Sequence, residues 1–169
     1  MKTQSELLKE WYRRVSVTQA AHYYAAGNLS SRKYYLGVPT VILTTLVGTS
    51  VFAAIQQQPD YRVQILVGLA SVTAALLSGL QTFLGDAERS EKHRTAAAKY
   101  GALGRELECC LARENGISDE RLTLLKCSLD ELAIESPNIP IKTYRKAGAT
   151  DLEILPKSQF KGEKARHTA

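Results

Sequence analysis

Residues 63–85 read VQILVGLASVTAALLSGLQTFLG, an unbroken run without a single charged side chain. It exceeds the ~20 apolar residues that a helix needs to cross the ~30 Å hydrocarbon layer of a bilayer. A second charge-free run precedes it, from Tyr34 to Pro59. The connector between the two, QQQPDYR, is short enough for the turn of a hairpin, with Pro59 and Asp60 as turn residues. A soluble protein burying two helices that are apolar all round would have to cover both with other elements. The remaining residues carry every charged side chain of the chain, so two transmembrane helices are expected, at 34–55 and 62–85, with an extracytoplasmic turn at 56–61. Strands cannot cross a bilayer without closing a barrel, so the β-branched residues of TVILTTLVGTSVFAAI still imply a helix.

Lysine and arginine near the membrane ends set the expected orientation. Arg13, Arg14, Arg32 and Lys33 precede the first run; Arg89, Lys92, Arg94, Lys99 and Arg105 follow the second, and Arg62 stands alone in the connector. The positive-inside rule then puts both termini in the cytoplasm of a multi-pass inner-membrane protein. Much of the formal charge of +5 falls on that side, where anionic headgroups favour it. Nucleic-acid binding is not needed to explain it and is not expected. Thirty-three residues with acidic and aromatic content precede the first run, so it is not expected to be a cleaved signal peptide.

Outside the spans the pattern is amphipathic and helical. In residues 1–29, opened by Thr3 or Ser5, Leu8, Trp11, Tyr12, Val15 and Gln19 fall near one stripe, and Gly27 and Asn28 read as a stop. Past Gly85 no proline intervenes until a turn signal at Asn115 and Gly116, so residues 62–114 are expected to form one helix whose part from 86 to 114 leaves the membrane. Its stripe is Ala97, Tyr100, Leu103, Leu107, Cys110 and Leu111, and Gly101 and Gly104 mark close helix contact. A third helix, 118–136, carries Leu122, Leu125, Leu129, Leu132 and Ala133 and stops before Pro137. The expected fold is thus an all-α membrane protein: a transmembrane hairpin with a small cytoplasmic three-helix bundle. The bundle is made of the N-terminal helix, the extension of the second span and the C-terminal helix. Residues 137–169 read as a mostly disordered basic tail.

No catalytic or metal signature stands out. His22, His93 and His167 have no second histidine or carboxylate four residues on, the spacing a helical zinc site uses. Cys109, Cys110 and Cys127 form no CxxC and read as small helix residues rather than a disulfide or zinc site. Phosphate-binding glycine loops and the nucleophile elbow are missing too, so no cofactor and no enzymatic activity are expected.

The spans carry another signal. Ser71, Ala75, Ser78 and Thr82 put small or hydroxyl side chains on one face, with Gln81 beside it. Such a face either packs helices closely or lines water. One hairpin cannot enclose a channel, so a pore implies a homo-oligomer, in which Asp86 and Glu88 would form acidic rings at the cytoplasmic mouth.

The run of features resembles the SLATT family, two-transmembrane effector domains associated with SMODS and SLOG proteins in bacterial conflict systems. The resemblance is carried by LLKEWYRR and AAHYYAA in the first helix, RKYYLGVPTVILTTLVGTSVF opening the first span, LLSGLQTFLGDAERSEKHRTAAAKYGALGRELE, and the closing SPNIP. It implies an antiphage effector that perforates the inner membrane in abortive infection, triggered by a nucleotide second messenger or a co-encoded partner protein. Within KHRTAAAKY, it makes Lys92, His93, Arg94 and Tyr100 candidates for ligand binding or for coupling the bundle to the spans. The competing readings are a holin-like lysis protein and a non-conducting membrane anchor or adaptor. The patterned helices after the second span exceed a holin's simple basic tail.

Overall fold

A computed structural model of the chain describes residues 3–56, 60–113 and 116–148. These residues are almost entirely helical: α1 (Gln4–Gln56), α2 (Tyr61–Leu84), α3 (Asp86–Leu111), α4 (Asp119–Glu135) and the short α5 (Ile141–Lys146). They divide into two units, one of Met1–Gly27 with Glu91–Ala169 and one of Asn28–Ser90.

In the first unit α1 opens on a reciprocal cap. The Glu6 amide donates to Thr3 Oγ1 at 3.3 Å while the Thr3 amide donates to Glu6 Oε2 at 2.9 Å, satisfying two of the donors that a helix start leaves unpaired. α4 begins with the Ser118 hydroxyl accepting from the Arg121 amide and ends at Ser136, whose amide donates to the Leu132 carbonyl just before Pro137. Between α3 and α4, Gln4 imitates a strand partner: its Nε2 donates to the Ile117 carbonyl at 2.8 Å and its Oε1 accepts the Ile117 amide at 3.3 Å.

The stripes expected from the sequence meet in one hydrophobic cluster. Leu8 and Val15 come from α1, Tyr100, Leu103, Leu107 and Cys110 from α3, and Leu125 and Leu132 from α4. Trp11, Tyr12, Leu122 and Leu129 pack at its edge, whereas Ala133 is exposed. The two glycines of α3 leave different room. A Cβ on Gly104 would lie 3.5 Å from Val15 Cγ1, and one on Gly101 would press into the Gln19 amide at 2.6 Å.

In the second unit the buried and half-buried positions follow a helical repeat: Leu36, Gly37, Thr40, Leu43, Val47 and Ser50 on α1, and Val67, Ala70, Ser71, Ala74, Leu77, Gln81 and Leu84 on α2. These are the faces along which the two apolar stretches pair; a Cβ on Gly37 would lie 3.1 Å from Gln81 Nε2. The opposite faces leave bulky apolar side chains uncovered, among them Val41, Leu46, Leu66, Leu76 and Phe83. α1 and α2 are both long and apolar enough to cross a membrane.

Four expectations need correction. Gly27 and Asn28 do not end the first helix; α1 runs on through the first apolar stretch. Gly27 keeps right-handed geometry, and a glycine in that state costs a helix ~1 kcal/mol against alanine, too little to stop one. Pro39 lies inside α1, where the Thr40 hydroxyl bonds back to the Leu36 carbonyl at 2.8 Å. Second, residues 62–114 are not one helix. Gly85 adopts φ 57°, ψ 29°, the left-handed state that glycine enters without penalty, and it separates α2 from α3. Its amide still donates to Gln81 and its carbonyl still accepts from Arg89, so the chain turns there with few lost hydrogen bonds. Third, α3 ends at Leu111 rather than at 114; Gly116 is left-handed as expected, and Asn115 lies outside the described residues. Fourth, the segment from 137 is not simply disordered: Ile139 and Thr143 are buried, and the Tyr144 hydroxyl lies 3.2 Å from Thr18 Oγ1. The tail from 149 onward, His167 included, and most of the expected turn at 56–61, Pro59 included, lie outside the described residues.

Candidate functional site

The most unusual chemistry of the first unit is a pair of histidines. His22 of α1 and His93 of α3 are 1 % and 5 % exposed, and their Nδ1 atoms stand 2.9 Å apart. One ring must therefore present N–H and the other a lone pair, so the contact exists with both rings neutral or with a single shared proton. It cannot exist with both charged. Burial, and then the proximity of His93, push the His22 pKa down to about 4. Tyr100 completes the arrangement, its ring stacked on His22 at 5.5 Å with an interplanar angle of 22°. Burial raises its phenol, opposed by a hydrogen bond with Ser136.

Sequence reasoning examined each histidine for partners on its own helix and so missed a partner 71 residues away. A signal was present. Leu8, Val15 and His22 recur every seven residues, as do His93, Tyr100 and Leu107, so both histidines lie on the stripes that fill the core.

Of the four residues singled out after the second span, the structure brings two together and separates the others. His93 and Tyr100 face the interior; Lys92 and Arg94 are exposed, and Arg94 lies 3.8 Å from Glu91. Exposed polar pairs trim the surface of the same unit. The Tyr12 hydroxyl donates to Glu108 at 2.6 Å, which holds its proton more tightly, and Lys99 pairs with Glu135, which raises the ammonium pKa.

The second unit holds a buried acid. Asp86, the first residue after the left-handed glycine, is 5 % exposed, and its Oδ2 lies 3.0 Å from Arg32 Nε. This is an ion pair by proximity without hydrogen-bond alignment, and neither carboxylate oxygen has a hydrogen-bond donor. Asp86 is thus turned inward against Arg32 and does not stand free as an acid of a pore mouth would, whereas Glu88 is exposed. The expected small-residue face is likewise split. Ser71 is half-buried, while Ala75, Ser78 and Thr82 are exposed, and Ala74 rather than Ala75 is the buried position of α2. Ser71 and Thr82 return their hydroxyl protons to the carbonyls of Val67 and Ser78. That is how a hydroxyl is tolerated in hydrocarbon without a partner helix.

Among the described residues no cluster of three metal-ligating side chains occurs, and the three cysteines are free thiols, Cys110 buried and the other two exposed.

One family model, described as SMODS and SLOG-associating 2TM effector domain family 4, matches residues 5–150. That covers both apolar helices, the histidine pair, Asp86 and α3 to α5. Its description is of an effector domain with two transmembrane helices and indicates no catalytic activity. No curated protein and no solved structure matches the chain.

Proposed function

Because the chain belongs to SMODS and SLOG-associating 2TM effector domain family 4, we propose that it is the membrane-acting component of a bacterial antiphage, abortive-infection system. In this reading its copies oligomerise in the inner membrane and permeabilise or depolarise it when a nucleotide signal or a co-encoded partner triggers them. The observation that carries the reading is the uncovered apolar surface of both long helices. Leu66, Leu76 and Phe83 are 66 %, 70 % and 87 % exposed, a surface that a soluble monomer does not carry at such length. Lipid covers it, and neighbouring copies cover part of it.

In this reading both termini are cytoplasmic, which the arginines and lysines flanking the hairpin favour. There the α1, α3 and α4 segments act as a three-helix bundle that receives the trigger. Exposed Ala75, Ser78 and Thr82, with half-buried Ser71, form the face turned to the next copy or to water in the assembled state. Glu88, and Asp86 once released from Arg32, supply the acids of the cytoplasmic mouth. Lys92 and Arg94 are the accessible charges for an anionic trigger or partner, and His93 with Tyr100 couples α3 to α1 inside the bundle.

The test is expression in bacteria with and without the neighbouring genes, followed with a potential-sensitive dye and propidium during phage challenge. Depolarisation confined to triggered cells is the expected result. Triggered cells that keep their potential and exclude propidium refute the pore reading, and loss of partner binding without any change in potential identifies an anchor.

A further inference from the structure

Within the hairpin unit, the segment of α1 around Lys33–Ile42 and the α2–α3 junction enclose a groove of about 740 Å³. This lies in the ~300–1,000 Å³ range of small-molecule sites. Its walls are unlike at the two ends. Leu36, Val38, Val41 and Ile42 line an apolar channel, and Lys33, Asp86 and the exposed Glu88 line the polar end.

The polar end is incomplete. Asp86 is a buried carboxylate beside one arginine and lacks any hydrogen-bond donor. Buried charges persist when they are both paired and hydrogen-bonded, and a carboxylate can accept several donors. Such a site calls for a ligand that brings N–H donors on a positive group. Lys33, on the same groove, calls for an anion on the same ligand, and the adjoining channel calls for a hydrocarbon chain. The pattern of both signs above an apolar slot selects a zwitterion with a tail.

We propose that this groove binds one zwitterionic phospholipid bearing a primary ammonium, the phosphoethanolamine class. The ammonium donates to Asp86, the phosphate sits at Lys33, and one acyl chain runs along Val38, Val41 and Ile42. The chemistry discriminates against the other common lipids. A choline headgroup carries the positive charge without N–H donors, and a glycerol headgroup brings a net negative charge toward a buried carboxylate. The proposal rests on the hairpin residing in the bilayer, and the experiment separates the two.

The full chain is reconstituted into vesicles of equal parts phosphatidylethanolamine, phosphatidylcholine and phosphatidylglycerol, and floated. It is then released in mild detergent, and the lipid retained is quantified by native mass spectrometry. The expected result is about one phosphatidylethanolamine per chain, preferred about tenfold over phosphatidylcholine, which corresponds to ~1.4 kcal/mol. The preference declines stepwise across mono- and dimethylated headgroups on the unaltered protein. Asp86→Asn abolishes it, and so does Val41→Trp, which fills the channel and leaves the ion pair intact. Equal retention of all three lipids, preference for phosphatidylglycerol, or undiminished preference in both variants overturns the proposal. A chain that floats without headgroup preference defeats only the groove; one that stays in the aqueous fraction defeats the membrane reading with it.

Discussion

The histidine pair makes the first unit acid-sensitive by an amount that can be worked out. His22 has its folded pKa lowered to about 4 from an ordinary 6.5, so it resists protonation when folded and accepts it when unfolded. Below pH 6.5 the unfolded chain binds more protons, and stability falls as the pH falls, until the folded value is reached near 4. At pH 5 the loss is ~2 kcal/mol from the two pKa values, and partial solvent screening in so small a unit brings the expected figure to ~1–2 kcal/mol. Trp11, the single tryptophan of the chain, packs against this core and reports its unfolding by fluorescence. With a urea slope of ~1–1.5 kcal/mol per molar for a unit of this size, the midpoint drops by about 1 M between pH 7.5 and pH 5. His22→Asn supplies an amide that can hydrogen-bond His93 without titrating, so its midpoint falls by less over the same interval. If the variant and the unaltered chain lose stability in parallel, carboxylates elsewhere govern the acid response and the argument from the pair is refuted.

Leu107 is fully buried at the centre of the same core, so Leu107→Ala is expected to cost ~2–5 kcal/mol of unfolding free energy, read by the same fluorescence assay. At Gly104 the space beside Val15 admits a methyl group; Gly104→Ala raises stability by up to ~1 kcal/mol through helix propensity, and Gly104→Leu lowers the thermal midpoint because the helices cannot part. Leu76 lies mid-span and exposed, so Leu76→Arg, at ~3 kcal/mol on an insertion scale, reduces the fraction of chain resistant to alkaline extraction; an unchanged fraction contradicts membrane insertion. Gly85→Ala places a methyl group on a left-handed residue at ~1–2 kcal/mol and favours a right-handed junction. A cysteine at position 86, shielded from thiol reagents in the native background, then becomes reactive while one at 88 loses reactivity, and continued shielding of 86 argues against that rephasing.

What the sequence made legible was whatever depends on a periodic pattern. The two charge-free runs became the two apolar helices, and the seven-residue recurrences of α1 and α3 became the core, because burial of an amphipathic stripe is a local property of the chain. What it hid depends on distant partners. α5 is six residues long and carries almost no helical signal of its own; it is held by burial of Ile139 and Thr143 and by Tyr144 reaching Thr18. Gly27 reads as a stop, yet termination needs a left-handed residue as well as a glycine, and nothing near Gly27 makes the chain turn.

Gly85 shows how one dihedral pair redirects a functional reading. Along α2 the half-buried Val67, the buried Ala74 and the half-buried Gln81 recur every seven residues, a shift of only about 20° on a helix of 3.6 residues per turn. Were the helix unbroken, Glu88 would come next on that face, and Asp86 would lie roughly 140° away from Gln81, turned outward. The reverse is found: Asp86 is buried against Arg32 and Glu88 is exposed. The left-handed glycine has rotated the start of α3 relative to α2 and exchanged the two acids. A reading that counts spacing through Gly85 therefore treats Asp86 and Glu88 as equivalent acids of one ring, when one is a buried, donor-starved carboxylate and the other a surface charge. Their consequences differ accordingly. Neutralising Glu88 alters an exposed charge, whereas neutralising Asp86 removes the partner that Arg32 holds at the charged end of the hairpin, and with it the group best placed to recognise a ligand there.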